Sequence, residues 1–190
     1  MPPKQPPTPE SLDDLLARAE HYANFSMRNI GRLPPTLFLI GPDGPLMFMP
    51  KSLEDAAAKD DFATSARLMC IAHAASACVM ALEAWAKFAK PDEKLDMTEP
   101  PSEAFDRQEF VVLMGEAPGV QKQKFLPIIR TDAGGFFGFG KPNVPGADEM
   151  KGRFAQILPA KEPDEQTRLL ARTMLQVKGV GLAKRSARLR

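Results

Sequence analysis

The chain has few of the residues that most often carry chemistry. Among its 190 residues are two cysteines, two histidines, one tryptophan and one tyrosine. This supply excludes a disulfide framework, and a zinc site would have to recruit carboxylates as well. We therefore expect no metal and no cofactor, and an enzyme is the less favoured class of function.

Long apolar runs are also absent, and no stretch reaches the ~18 residues that a membrane-spanning helix needs. The start, MPPKQPPTPE, has one lysine and no apolar core, unlike a signal peptide. Cys70 and Cys78 lie in one alanine-rich run, and in a helix they would stand ~12 Å apart, too far for a disulfide. Reduced cysteines are typical of a reducing compartment, so we expect a cytoplasmic protein.

Proline, in contrast, is abundant, with 19 residues that mostly fall between apolar runs. These prolines divide the chain into a disordered proline-rich segment (1–10), a single domain (11–178) and a flexible basic tail (179–190). The last thirteen residues carry five positive charges and no acid, which leaves a formal charge of −4 on residues 1–177. The body is mildly acidic and the tail is basic.

Hydrophobic periodicity and turn chemistry predict the elements. Thr8 or Ser11 can cap a first helix over 11–29, and a final helix runs over 164–178. Strands are predicted at 36–40 and 46–49 around a Gly-Pro-Asp-Gly turn, and again at 109–115, 124–130 and 136–140. The longest helix is predicted over about 61–89.

This order of elements predicts an α+β fold, in which an antiparallel sheet of four or five strands packs against three main helices. The longest helix is expected to be central. A doubly wound parallel sheet fits badly, because no strand–helix–strand alternation repeats.

The predicted central helix is apolar on every side. One stripe, which includes Trp85, is a normal core face, so we expect Trp85 to be buried. The opposite side carries Met69, His73, Ala77 and Met80, where a surface helix would show charges. Either the terminal helices cover this side, or it is an Ala/Met-rich face that binds another protein or a second copy of the chain.

Two sequence patterns resemble catalytic or ligand-binding motifs but are better explained as structural elements. A Cys70–His73 nucleophile pair would need a cleft and an orienting group, which an apolar helix does not provide. The glycine spacing of Gly135, Gly140 and Lys141 is that of a phosphate-binding loop, but Pro142 replaces the required Ser or Thr. A strand kinked by glycines accounts for the segment.

Charged residues border the apolar strands. We expect Glu109 to lie near Arg130, and Glu116 near Lys124, as ordinary ion pairs at strand ends. If instead Glu83, Arg107 and Arg130 converge in one cleft, they could bind a small molecule or an acidic ligand.

The basic tail contains Lys184, Arg185, Arg188 and Arg190. It could bind nucleic acid through phosphate contacts, weakly and with a strong dependence on salt. No nucleic-acid recognition motif accompanies it.

The sequence favours a non-enzymatic protein-binding or accessory protein that acts through the Ala/Met-rich helix face. A small-molecule-binding domain or enzyme using Glu83, Arg107 and Arg130 is the second hypothesis. A nucleic-acid-associated protein using the tail is the third. No membrane partner is expected.

Overall fold

The computed structural model describes residues 11–50, 53, 55–86, 107–142 and 152–180. Its elements, in chain order, are α1 (Leu12–Ile30), β1 (Thr36–Gly41), β2 (Gly44–Phe48), α2 (Ala56–Ala72), β3 (Ala77–Ala86), β4 (Gln108–Ala117), β5 (Val120–Arg130), β6 (Phe136–Phe139) and α3 (Glu165–Val177). The proline-rich segment 1–10 and residues 181–190 of the tail lie outside the described residues.

The fold class expected from the sequence is confirmed. The described residues form three helices and one antiparallel sheet, whose strands lie in the order β2-β1-β3-β4-β5-β6. The sheet has six strands rather than four or five, because residues 77–86 add a strand that the sequence analysis assigned to a helix.

Capping chemistry sets the helix ends where the sequence indicated. The Ser11 side chain accepts a hydrogen bond from the Asp14 amide while the Asp14 carboxylate accepts one from Ser11 N–H, which is a capping box. Gly31 ends α1 at a φ of 76°, a conformation that glycine adopts without strain. Asp164 caps α3 through the Thr167 amide at 2.7 Å.

The prediction of one continuous helix over 61–89 is wrong. The helix ends at Ala72, and Ala74 follows with a φ of 44°. The Ser76 amide then donates to the Ile40 carbonyl at 2.8 Å, which brings the chain beside β1. From Ala77 onward β3 pairs antiparallel with β1 on one side and β4 on the other. An apolar run buried on all sides is compatible with either structure, and pairing on both edges favours the strand.

The first core lies between α1 and one face of the sheet. Small side chains of β3, Ala77 and Ala81, point to this face together with Val79. Gly115 of β4 lies directly under α1, where an added Cβ would stand 3.0 Å from the Leu12 Cδ1 atom. The small residues therefore allow α1 to pack closely on the sheet.

The second core lies on the other face, where alternate β3 residues, Cys78 and Met80, meet α2. Helix α3 completes this core by packing Ala171 and Leu175 against the cluster. The two cores share β3, whose successive side chains point alternately into one and the other.

An irregular segment over 153–158 is fixed by two charged side chains. The Arg67 guanidinium donates to the carbonyl oxygens of Arg153, Ala155 and Gln156 at 3.0–3.3 Å. The buried Glu116 carboxylate accepts from the Ile157 and Leu158 amides at 3.1 and 2.9 Å. The expectation that Glu116 pairs with Lys124 is therefore wrong, and Lys124 instead pairs with Glu20 at 2.5 Å.

We predict that Ala77→Glu destabilises the protein by about 3–5 kcal/mol, because it places a carboxylate without a partner in the core beneath α1. The matched control is Ala160→Glu at an exposed position, which should change stability by no more than about 0.5 kcal/mol. Urea unfolding of both variants measures the difference. A stable Ala77→Glu variant with an altered oligomeric mass would contradict the placement of Ala77 in a closed core.

Candidate functional site

The predicted Ala/Met-rich face is not a surface. Met69 of α2 and Met80 of β3 are buried in the second core, whereas Ala77 is buried in the first. The four residues share one side only if residues 69–80 are helical, and the turn after Ala72 separates them. The proposed interaction residues therefore form no common face in this fold.

His73, the fourth member of that set, is half-buried at the end of α2. Its Nε2 atom is buried and has no hydrogen-bond partner among the described residues. Burial, followed by the nearby Arg172 guanidinium, lowers the pKa of this imidazole. The side chain is therefore neutral at physiological pH and is better suited to packing than to anion binding.

Cys70 and Cys78 are close together, in contrast to the separation expected of a helix. Cys78 lies on β3 and faces α2, where its thiol forms a hydrogen bond with Cys70. This hydrogen bond and burial raise the pKa of the Cys78 thiol well above its ordinary value. Both residues are buried, so neither has the exposed, thiolate-favouring surroundings of a reactive cysteine.

Some of the charged residues near the ends of β3, β4 and β5 lie close together. Arg130 binds Glu109 through two hydrogen bonds of 2.7 and 2.5 Å, as expected from the sequence, and this pairing raises the pKa of the guanidinium. Glu83 accepts a hydrogen bond from the Leu33 amide. Burial raises the pKa of Glu83 and the nearby Glu109 adds to the shift, whereas the hydrogen bond from Leu33 and the nearby Arg130 oppose it. The Arg130 guanidinium is therefore already bound by a carboxylate from the same region, that of Glu109.

Arg107 lies in the same region but contacts a different residue. Its guanidinium carbon stands 4.6 Å from the ring centroid of Trp85, a cation–π contact. Trp85 is 42% exposed, so the expectation that it is buried is wrong. The residue lies near the end of β3 rather than on a helix stripe that faces the core.

An open groove of about 1020 Å³ lies between the β4–β5 turn and the segment after Gln156. Its walls are mainly Pro118, Val120, Leu158 and Pro159. Glu116, the charged group in its lining, is already bound by two backbone amides. Gln121 and Gln156 also line the groove, but no cation among the described residues does, so it has no opposite charge to hold an acidic ligand.

The most distinctive surface is one that the sequence analysis did not identify. Four apolar side chains of α3 are strongly exposed: Leu169 at 60%, Leu170 at 60%, Met174 at 44% and Val177 at 84%. Together with the exposed Thr173 they form what we call the outer face of α3. At 100° per residue these five positions cover a continuous arc of about 140°.

The inner stripe of the same helix explains why this face remains outside. Ala171 and Leu175 are buried against α2, and Arg172 anchors the helix by donating to the Ala72 carbonyl at 3.3 Å. The Thr173 hydroxyl donates to the Leu169 carbonyl at 3.0 Å, which satisfies the polar group in the middle of the outer face. Surface helices normally carry one apolar stripe of about 100°, and α3 carries two.

A signal for this face is present in the sequence. The stretch LLARTML contains more apolar residues than one core-facing stripe requires, and assigning them to two stripes would have revealed the excess. Which stripe faces the core follows only from the packing of α3 on α2.

No protein-family model, curated protein or solved structure matches this chain. Among the described residues, no three His, Cys, Asp or Glu side chains group together as metal ligands. Within the same part of the chain, every helix is too short or too polar to cross a bilayer.

The raised pKa of Glu83 predicts a pH-dependent stability. The folded protein holds this proton more tightly than the unfolded chain, so the contribution of Glu83 is fully present below the unfolded carboxyl pKa of about 4.3 and is lost as pH rises through the folded pKa. Glu83→Gln keeps an oxygen acceptor for the Leu33 amide but cannot ionise. We expect it to match the wild type in acid and to exceed its unfolding free energy at neutral pH.

Urea midpoints measured from about pH 4 to pH 7 test this, with the exposed Glu162→Gln as a matched control. A Glu83→Gln variant that is less stable than the wild type at neutral pH would show that the charged form is the one the fold prefers.

Proposed function

We propose that this chain is a non-enzymatic protein-binding or accessory protein that acts through the outer face of α3. The observation that carries the proposal is the 140° apolar arc of Leu169, Leu170, Thr173, Met174 and Val177 on a helix that is anchored on its other side. Contiguous exposed apolar surface rimmed by polar residues is typical of interaction sites. A cytoplasmic setting is part of the proposal.

The composition of the face also supports protein binding. An anchored helix that presents apolar side chains at i, i+4 and i+7, here Leu170, Met174 and Val177, matches the pattern by which helices dock into grooves or onto other helices. Methionine adapts its shape to an irregular partner. Helix α1 also exposes two large apolar side chains, Phe25 and Ile30, but these lie about 140° apart around the helix and form no continuous arc, so Phe25 serves as a control.

The two other hypotheses have less support. In the corner with Glu83, Arg130 is already neutralised by Glu109, which leaves little capacity for an acidic ligand. Nucleic-acid binding through Lys184, Arg185, Arg188 and Arg190 stays a prediction, because those residues lie outside the described part of the chain.

A photo-crosslinking amino acid at position 170, introduced in the cells that produce the protein, tests the proposal. We expect a discrete protein adduct, because the side chain would lie against the bound partner. The same amino acid at position 25 should give no such adduct, although the two positions are 60% and 59% exposed. Equal labelling from both positions, or none from position 170, would contradict protein binding through α3.

A further inference from the structure

The two cysteines of the chain are in contact although they lie on different elements. Cys70 belongs to the last turn of α2, and Cys78 is near the start of β3 with its side chain toward α2. Between them Ala74, at a φ of 44°, turns the chain back, and the Ala75 amide donates to the Cys70 carbonyl at 2.9 Å. The fold therefore brings both sulfur atoms to one point of the second core, where the two thiols are hydrogen-bonded.

We propose that Cys70 and Cys78 are an oxidation site, at which a peroxide converts the two thiols into an intramolecular disulfide that ties α2 to β3. A disulfide forms between cysteines whose side chains point at each other, and the contact between these two thiols meets that condition. The sequence holds no third cysteine, so the pair is complete within one chain. This inference does not depend on the function proposed for α3.

Burial decides which oxidants and which products are available to the pair. The two side chains are 0% and 1% exposed, so neither a second protein chain nor a bulky disulfide reaches the sulfur atoms. A peroxide is small enough to enter when the turn at 73–76 opens. This turn separates the two cysteines and reaches the surface, because His73 is half-buried and Ser76 is exposed. Opening one surface turn costs less than global unfolding, so the pair can react while the rest of the protein stays folded.

The reaction balances with one equivalent of peroxide. On opening, one thiol loses its proton and its sulfur attacks the peroxide, so that an S–O bond forms while the O–O bond breaks. The departing hydroxide takes up the proton and becomes water. The second sulfur then attacks the sulfenic acid, the S–S bond forms as the S–O bond breaks, and a second water leaves with the remaining thiol proton. The two cysteines together lose two hydrogens, and the peroxide is reduced to water.

The contact between the sulfur atoms controls the outcome of the second step. Hydrogen bonding to Cys70, followed by burial, raises the pKa of the Cys78 thiol, so the closed fold keeps this thiol protonated and slow to react. Once one sulfur has become a sulfenic acid, closure of the turn places the other beside it. Condensation to the disulfide then precedes further oxidation to the irreversible sulfinic acid. The site is inert at rest and reversible once oxidised.

The disulfide should stabilise the folded protein. It closes the loop over 70–78 and so reduces the conformational freedom of the unfolded chain. It also fixes the last turn of α2, whose Ala72 carbonyl accepts the hydrogen bond from Arg172 of α3. Oxidation thus locks the helix on which α3 packs.

The mass of one peptide tests the proposal. The folded wild type is treated with dilute hydrogen peroxide, free thiols are alkylated in denaturant, and trypsin releases residues 68–87, which contain both cysteines and no internal Lys or Arg. We expect this peptide to escape alkylation and to be lighter by two hydrogens. The oxidised sample should melt about 5–10 °C above the same sample after reduction with dithiothreitol. Met49, which is 43% exposed, reports in the same digest that the peroxide has reacted.

The matched controls are Cys70→Ala and Cys78→Ala, each of which removes one sulfur and keeps a small apolar side chain in the core. Neither variant can form the intramolecular disulfide, so neither should show a change of melting temperature that dithiothreitol reverses. If either variant fails to fold, the mass of the wild-type peptide and its reversal by dithiothreitol still decide the question.

Alkylation of both thiols after Met49 has been fully oxidised would overturn the proposal, because the pair would then resist a peroxide that reacts elsewhere. A sulfinic acid at Cys70 or Cys78 would also overturn it, since the second sulfur would not be in place to condense. The same holds for a disulfide that links two chains, that forms only at urea concentrations that unfold the protein, or that lowers the melting temperature.

Discussion

The hydrogen bonding of β3 on both of its edges is the constraint on which the rest of the structure depends. The strand pairs with β1 through residues 77–81 and with β4 through residues 78–86. Its alternating side chains divide the interior into two cores, with small residues beneath α1 and larger ones beneath α2. Because Ala77, Val79 and Ala81 are compact, α1 can lie close to the sheet.

The same division accounts for the surface that we associate with function. The sheet has only two faces, and α1 occupies one while α2 and the segment held by Arg67 and Glu116 cover much of the other. Helix α3 is the last of the described elements and packs on α2 through a narrow inner stripe. Its second apolar stripe therefore has no partner among the described residues, and its side chains remain 44–84% exposed. This stripe is the surface on which the proposed protein binding rests.

Much of the fold follows from local sequence signals. Ser11 and Gly31 set the limits of α1, the Gly41–Gly44 turn sets the first hairpin, and Asp164 starts α3. Residues 73–86 could not be assigned in this way, because alanine and methionine favour helices and no glycine or proline marks the break. The strand there is stabilised by pairing with β1 and β4, which are distant in sequence.

The candidate site was predictable only in part for a related reason. The sequence places a helix at 164–178, and the Glu109–Arg130 pair was expected from strand register. Which stripe of α3 faces inward depends on its contact with α2, which no local pattern specifies.

The measurement that tests the central claim most directly is the oxidation rate of Met174 relative to Met49, because the two side chains are 44% and 43% exposed in the structure. Footprinting with peroxide and mass spectrometry should show Met174 protected relative to Met49 in the cells that produce the protein, with the difference lost in the purified chain. Equal rates in both settings would contradict a covered outer face of α3.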